Sequence, residues 1–273
     1  MATPRAKVVL TGVQETLLIP LYAKAMGSSW PNPIFADPKA EEILQSVEYD
    51  FSQLSIPRKV VITMCIRAAR FDTYAREFLA SQPQAVVLHL GCGLDSRCLR
   101  VPHDDAQWYD LDLPEVIALR RIFYEETPTY HMIACSVTDP GFVDAVAASG
   151  RPVFAIAEGL LMYLKEAEVK ALVLKLREAF PGSHLACDVY STLTVRQARR
   201  ITPLQRTGAV VQWGIDDART IETWAPGIRL REEWYFTQAE EIARLNPAYR
   251  LGIRIAGLFP AARKAERILY FTL

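Results

Sequence analysis

Short apolar segments alternate with longer amphipathic ones along most of the chain. Five apolar segments are bounded by turn-forming residues and have the length of strands buried on both faces of a sheet. They span residues 85–90, 107–112, 130–136, 152–158 and 183–190. Four segments with helical character precede or separate them, at residues 57–80, 113–126, 139–149 and 164–180. The alternation predicts an α/β domain with a mostly parallel sheet covered by helices on both faces.

Two parts of the chain do not follow this alternation. Residues 1–56 contain five prolines and are predicted to form an N-terminal cap segment of helices and loops. Residues 191–227 follow the fifth strand, and we predict a lid insertion there, over the carboxyl ends of the strands where open α/β sheets bind ligands. Residues 267–273 are predicted to be a final strand at the edge of the sheet. We treat residues 1–273 as one domain.

Charge and cysteine content exclude several classes of function. The 273 residues contain 31 basic and 31 acidic side chains, so no overall positive field attracts nucleic acid. Residues 152–164 form the longest apolar run, which is too short to span a bilayer and contains Glu158. The five cysteines form no CxxC pair and predict neither a disulfide framework nor a metal site. The N-terminus does not resemble a signal peptide, so we expect a cytoplasmic protein without a membrane partner.

A glycine loop follows the first predicted strand, in the segment HLGCGLDS at residues 89–96. Gly91 and Gly93 give the G-x-G of a nucleotide-type loop, and Ser96 occupies the position of the third glycine. An acidic residue ends the next strand about 20 residues later, within reach of a ribose hydroxyl. Asp112 and Asp110 both qualify. We favour Asp112 because the strand ends immediately after it and leaves its carboxylate at the rim.

Asp95 bears on the kind of cofactor. Its carboxylate lies near the start of the predicted helix, where a diphosphate would need the positive end of the helix dipole. A cofactor with a ribose and no phosphate has no such conflict. S-adenosylmethionine, which carries a sulfonium cation, therefore fits better than a nicotinamide dinucleotide, although a nicotinamide-dependent oxidoreductase remains an alternative.

Three sequence motifs, taken in order, resemble those of a known protein family. LGCGLDSRCLRV, WYDLDLPEVIALRR and IAEGLLMYL closely resemble the leucine carboxyl methyltransferase family, in particular its bacterial polyketide-pathway branch of tetracenomycin type. ETLLIPLYAKA, PIFADPKAEEI, IRAARFD and WGIDDARTIETWAPG match as well, so the resemblance covers nearly the whole chain. It implies an S-adenosylmethionine-dependent methyltransferase with a Rossmann-like class I fold and a seven-stranded sheet.

The resemblance also implies roles for individual residues. It places Arg67 and Lys24 at the methionine carboxylate and Asp112 at the ribose. Ser136 and Val137 would lie beside the adenine, where related enzymes often have Asp-Leu. The implied cofactor-binding set is Lys24, Arg67, Gly91, Gly93, Asp112, Ser136, Val137 and Glu158.

Other interpretations of single residues stay open. Family members often carry a second arginine two residues after Arg67, but here Ala69 stands there and Arg70 follows. Glu158 would face the methionine end of the cofactor, or form a buried salt bridge. Tyr163 would contact substrate or pack in the core. Three of the four histidines fall in strands or at strand starts and are expected to be core groups.

The acceptor is predicted from the chemistry of methyl transfer. A carboxylate acceptor is already ionised at neutral pH, whereas a phenol benefits from a base. No histidine falls in the predicted lid insertion or in the loops over the strand ends, which favours a carboxylate. The candidate substrate-binding residues are Arg196, Arg199, Arg200 and Trp213, although Trp213 could instead anchor the insertion. No catalytic residue is assigned, and Glu158 and Tyr163 are the candidates.

The predicted function is therefore O-methylation of a small polyketide-like or aromatic acid at its carboxylate. Alternatives are methylation of a protein C-terminal carboxylate and of a phenol. Less favoured are an oxidoreductase and a binding protein that keeps a methyltransferase fold without catalysis. The sequence gives no oligomeric state.

Overall fold

Seven strands form one sheet in the computed structural model, which describes residues 6–7, 16–54, 56–146, 148–198 and 209–273. The strands are β1 Val86–Leu90, β2 Gln107–Asp112, β3 Tyr130–Ala134, β4 Val153–Ala157, β5 His184–Tyr190, β6 Arg229–Tyr235 and β7 Glu266–Thr272. Their order in the sheet is β3-β2-β1-β4-β5-β7-β6. Strands β1 to β5 run parallel, and β7 is antiparallel to both of its neighbours. The predicted mostly parallel, seven-stranded sheet is confirmed.

The strand order changes direction at β1. Strands β2 and β3 continue to one side of it, and β4 and β5 continue to the other. Ligands of open α/β sheets bind at such a switch point, outside the carboxyl ends of the strands. The glycine loop follows β1 at this point.

The last strand lies inside the sheet, so its predicted position at the sheet edge was wrong. β7 pairs with β5 on one side and with β6 on the other. Ile268, Leu269 and Phe271 are completely buried, and this requires cover on both faces and both sides. β6, whose residues Arg231, Glu232 and Glu233 remain partly or fully exposed, forms the edge instead.

Nine α-helices are described. They are α1 Leu18–Ser28, α2 Pro38–Ser46, α3 Arg58–Ser81, α4 Arg97–Arg100, α5 Pro114–Arg120, α6 Glu166–Ala179, α7 Thr192–Ala198, α8 Pro247–Gly257 and α9 Pro260–Arg263. Within residues 139–149, a 3-10 helix at Pro140–Ala145 takes the place of the predicted α-helix. Within the described ranges, none of the helices has the length and apolar character needed to cross a membrane.

Each face of the sheet carries its own apolar core. Val87 and Phe154 point to the face covered by α3, where Phe78 stacks on Phe154 at 5.1 Å between ring centroids. Val86 and Leu88, one position away along β1, point to the other face, which α6 covers. This alternation along a strand gives helices on both faces, as predicted.

Residues of the N-terminal cap segment pack on α3. Helix α1 contacts both α2 and α3, and buries Leu18 and Leu21 against them. Two strands of two residues each, Ala6–Lys7 and Val47–Glu48, pair in parallel outside the main sheet and were not predicted. The described part of the segment forms one wall of the space above the glycine loop.

Candidate active site

A cavity of about 1080 Å³ lies over the carboxyl ends of the parallel strands. Four strands contribute to it through the residues at or just after their ends: Gly91, Asp112, Glu158 and Tyr190. Helices α1 and α3 supply most of the opposite wall, which is largely apolar. This is the location that the switch point in the strand order predicts.

The glycine loop has a backbone that other residues adopt with difficulty. Gly91 and Gly93 have φ angles of +63° and +51°, in the left-handed region that favours glycine. A Cβ on Gly91 would lie 2.9 Å from Cδ1 of Leu160, so the loop is also too crowded there for a side chain. Both glycines line the cavity, and their backbone is accessible to a ligand.

Asp112 is fixed at the rim of the cavity by two backbone donors. The N–H groups of Gly93 and Leu113 each donate to its carboxylate at 2.7 Å. Burial raises the pKa of Asp112, and the two N–H donors oppose that rise. The carboxylate is thus positioned beside the glycine loop, where a ribose is expected.

Asp110 points away from the cavity into a buried polar cluster. It accepts hydrogen bonds from the Tyr130 hydroxyl at 2.8 Å and the Trp108 indole at 2.9 Å, and it pairs with Arg120. Arg120 also donates to the carbonyl of Gly93 at 3.0 Å. Asp110 therefore supports the glycine loop from below, while Asp112 faces the cavity.

We expect Asp112→Asn to weaken binding of S-adenosylhomocysteine by about tenfold, because a hydrogen bond to a charged acceptor contributes roughly 1.5–3 kcal/mol. Calorimetric titration measures the affinity. Asp105→Asn, an exposed position before β2, is the control and should bind like wild type. Wild-type affinity in Asp112→Asn would contradict a ribose contact at this residue.

A buried ionic network underlies the cavity. Its cations are Lys24, Arg67, Arg97 and Arg100, with half-exposed Arg76 at its margin. Its six carboxylates are Asp37, Asp72, Asp95, Glu158, Asp188 and Glu266. Because carboxylates outnumber cations, the network suits a ligand that carries positive charge.

Arg67 is the centre of this network on the cavity side. Its Nε donates to Glu158 at 3.1 Å, and its Nη1 donates to Asp188 at 3.0 Å and to Glu266 at 3.2 Å. A Cβ on Gly159 would lie 3.3 Å from Nη2, so the glycine leaves the guanidinium the room it occupies. Arg67 is buried and lines the cavity, so it is not a solvated arginine on the surface of α3.

Asp95 and Lys24 meet on the other side of the glycine loop. The Lys24 ammonium donates to Asp95 at 2.6 Å, and both side chains are buried. Burial would raise the pKa of Asp95, but Arg100, Arg97 and Lys24 hold it well below its usual range. Asp95 is therefore an ionised carboxylate at the loop, paired with three cations.

Glu158 is held by two arginines. Arg97 donates to it at 2.5 Å and Arg67 at 3.1 Å. Burial would raise the pKa of Glu158, but the two guanidinium groups lower it below its ordinary value. Glu158 therefore forms the buried salt bridge that was one interpretation of it, and it also lines the cavity; a contact with the methionine end of the cofactor stays a prediction.

Two tyrosines line the part of the cavity next to Arg67. Tyr163 follows β4 in a 3-10 helix, and Tyr190 ends β5. Burial raises the pKa of both phenols, and the neighbouring carboxylate of Glu266 raises the pKa of Tyr190 further. They remain protonated and can donate hydrogen bonds to an anionic oxygen.

Several predicted site residues lie elsewhere. Ser136 and Val137 follow β3 but are not part of the described cavity wall, and Ser136 pairs with the Thr138 hydroxyl at 2.8 Å. Arg196 is exposed on α7, and Trp213 is buried in the core, where its backbone N–H donates to the Met162 carbonyl. Arg199 and Arg200 lie outside the described residues.

Arg70 does not take the place of the second arginine that family members often have where this chain has Ala69. It donates twice to Glu232 at 2.9 Å and stacks on the Tyr74 ring, on the side of α3 that faces the edge of the sheet. The second guanidinium on Glu158 comes instead from Arg97, in α4.

Sequence reasoning missed several members of the network: Asp37, Asp72, Arg97, Arg100, Asp188 and Glu266. Arg97 and Arg100 stand three residues apart just after the glycine loop, a spacing that places them on one face of a helix. That spacing was the available signal. Glu266 is 199 residues from Arg67, and no local pattern indicates their contact.

The cavity fits S-adenosylmethionine by the chemistry of its walls. Asp112 offers acceptors for a ribose, and the left-handed glycine loop exposes backbone beside it. Arg67 and Lys24 provide cations for an amino acid carboxylate, and the surplus of carboxylates matches a sulfonium and an ammonium group.

Comparison with known proteins agrees with this chemistry. The family profile of leucine carboxyl methyltransferases matches residues 18–176. The tetracenomycin polyketide synthesis O-methyltransferase TcmP of Streptomyces glaucescens is 39% identical over 266 residues, which cover 96% of this chain and 97% of that protein. The S-adenosyl-L-methionine-dependent methyltransferase dpfgK of Gibberella zeae is 31% identical and covers 85% of both chains. The crystal structure of a candidate methyltransferase from Thermobifida fusca shares the fold, with a TM-score of 0.58 at 17% identity, over 96% of this chain and 94% of that one.

Proposed function

Because this chain belongs to the leucine carboxyl methyltransferase family and is an S-adenosylmethionine-dependent O-methyltransferase, we propose that it forms a methyl ester on the carboxylate of a small aromatic or polyketide-like acid. The observation that carries the proposal is the pair of protonated tyrosines, Tyr163 and Tyr190, beside Arg67 in the cavity. Hydroxyl donors at this place suit an acceptor oxygen that is already an anion.

The rest of the cavity supports an aromatic acid. Ile19, Pro20, Leu54 and Met64 give it an apolar wall on the side of α1 and α3, where flat rings can be buried. An exposed cation, Lys59, also lines the cavity, at the start of α3, and attracts anionic substrates.

Residues of this chain would bind the two substrates and orient them. We assign the methionine carboxylate to Arg67 and Lys24 and the ribose to Asp112. The adenine is assigned to the loop after β3, at Ser136 and Val137. Bound S-adenosylmethionine would supply a methyl group to an oxygen of the acceptor, with the electron pair of the broken C–S bond left on sulfur, so an ionised acceptor would need no proton transfer. The walls act by holding the oxygen in line and excluding water.

We further propose that the lid insertion contributes to the acceptor side of the cavity through some of its described residues. Thr194, Ala198 and Val211 line the cavity from this segment, and the N–H groups of Gln212 and Trp213 donate to the Met162 carbonyl. Arg196, with Arg199 and Arg200, stays a candidate for contact with an acidic group of the acceptor.

We also infer a cytoplasmic location and no nucleic-acid partner. The five cysteines are free thiols, four of them buried, which suits a reducing compartment. The equal numbers of basic and acidic residues provide no field for phosphates.

The proposal is tested with two matched acceptors, anthraquinone-2-carboxylate and 2-hydroxyanthraquinone, and methyl-labelled cofactor. We expect label to transfer to the carboxylate, in a product that releases methanol in mild alkali as esters do. Label that resists alkali, or that transfers only to the phenol, would identify an ether-forming enzyme. Heat-denatured protein is the control for spontaneous transfer.

A phenol is the second candidate acceptor because one observation favours it. Glu266 lines the cavity beside Tyr190, and burial raises its pKa to about 7, against the attraction of Arg67. A carboxylate of that pKa can accept the proton of a phenol. The alkali test separates the two acceptors.

A further inference from the structure

Glu266 differs from the other two carboxylates on Arg67. Glu158 has a second guanidinium partner, Arg97, and Asp188 accepts a second hydrogen bond from the N–H of Gly159 at 2.6 Å. Among the described residues, the carboxylate of Glu266 is held by Arg67 alone, at the longest of the three distances. It is also the most exposed of the three, at 19% of its side chain against 6% and 0%.

The position of Glu266 in the sheet places its side chain at the part of the cavity that we assign to the acceptor. Glu266 is the first residue of β7 and lies opposite Tyr190, the last residue of β5, in the antiparallel register. Tyr190 and Ala265 line the same part of the cavity together with Thr194. A Glu266 side chain released from Arg67 therefore remains within this acceptor-side wall.

Arg67 has more negative partners than one guanidinium can balance. Three carboxylates already surround its single positive charge, and the methionine carboxylate, by our assignment, would add a fourth. Like charges at this distance disfavour simultaneous ionisation, so one carboxylate has to move away or bind a proton. The one with the fewest other partners is Glu266.

We propose that Glu266 is the acceptor-positioning acid of this site: it leaves Arg67 when the methionine carboxylate binds there, takes up a proton, and donates a hydrogen bond to the acceptor carboxylate. The acceptor half of this inference rests on the proposed function, whereas the exchange on Arg67 does not. The proton comes from solvent and stays on Glu266 throughout the transfer.

The charges around Glu266 support proton uptake. In the described residues, Arg67 faces it from α3, Glu158 from the end of β4, and Asp188 and Tyr190 from β5. Burial and the two neighbouring carboxylates raise its pKa, and Arg67 is the cation that opposes them. When another carboxylate binds Arg67, the protonation equilibrium of Glu266 shifts further toward its protonated form.

Calorimetry of S-adenosylhomocysteine binding tests the exchange without any acceptor. At pH 7.5, titrations in buffers of different ionisation enthalpy give the number of protons taken up. We expect net uptake by the wild type and its loss in Glu266→Gln, with affinity at least equal to that of the wild type. Glu232→Gln is the matched control, since Glu232 also accepts from an arginine of α3 but lies outside the cavity. If Glu266→Gln takes up as many protons as the wild type, the proposed exchange of carboxylates on Arg67 is wrong.

The pH dependence of methylation tests the acceptor half with anthraquinone-2-carboxylate. Since the protonated form of Glu266 is the donor, the wild-type rate should fall several-fold as pH rises from about 7 to 8.5. Glu266→Gln keeps an N–H donor and should show a flat profile, and Glu266→Ala should be slow at every pH. A rate that rises with pH in the wild type and is lost in Glu266→Gln would make Glu266 a base instead.

Discussion

Arg67→Lys is expected to weaken binding of S-adenosylhomocysteine by at least about 100-fold. Lysine keeps the positive charge, but its single ammonium cannot serve Glu158, Asp188 and a bound carboxylate in the planar geometry of a guanidinium. Two lost charge-assisted hydrogen bonds at roughly 1.5–3 kcal/mol each account for this factor. Titration calorimetry measures the affinity, and thermal unfolding checks that the variant is folded.

Arg70→Lys is the matched control for that experiment. Arg70 lies three residues further along α3 and also binds a carboxylate, Glu232, but it does not line the cavity. It should retain wild-type affinity. Affinity within about threefold of wild type in Arg67→Lys would contradict a role for Arg67 in binding the cofactor carboxylate.

Arg120→Ala should have the largest effect on stability, a loss of about 3–5 kcal/mol in the free energy of unfolding. Arg120 and Asp110 are both completely inaccessible to solvent, and removal of one partner leaves an uncompensated buried charge. The substitution also removes the donor to the Gly93 carbonyl, so cofactor binding should weaken in any folded fraction. Urea denaturation monitored by circular dichroism measures the stability.

Arg121→Ala provides the comparison for this prediction. Arg121 is half exposed and lies 3.7 Å from the exposed Glu126, an arrangement that contributes less than about 1 kcal/mol. Equal losses in the two variants would contradict the importance of the buried pair.

The stability difference between wild type and Arg120→Ala should depend on pH. Burial opposes ionisation, but Arg120 and His89 lower the pKa of Asp110 to about 2, below its value in an unfolded chain. The contribution of the pair is therefore fully present above about pH 4 and is lost as the pH falls toward 2. The difference should shrink over that interval.

The sequence predicted those parts of the fold that depend on local pattern. The first five strands were read from short apolar runs, because a strand between two layers of helices has to be apolar on both faces. β7 has the same pattern, yet its place in the sheet was predicted wrongly. Position depends on which strands pair, and residues 266–272 pair with β5, about 80 residues earlier in the chain.

The candidate site also combines features that the local sequence predicts with contacts that it does not predict. Asp112 was preferred to Asp110 because a proline ends the strand just after it, and in the structure Asp112 lines the cavity while Asp110 lies in a buried polar cluster. The contacts of Glu158 were left open, because its arginine partners lie in α3 and α4, 91 and 61 residues away. Local spacing cannot give a contact that depends on the packing of separate elements.

The sequence by itself determined the alternation of strands and helices, the glycine loop and the acid at the end of β2. These follow from the period of the hydrophobic pattern, the conformational range of glycine and the restriction that proline imposes. Only the tertiary structure decided that β7 enters the sheet beside β5. That insertion brings Glu266 to Arg67, so that three carboxylates share one guanidinium at the wall of the cavity. Such a cluster depends on burial and on charges from distant segments, which acquire their neighbours only when the chain is packed.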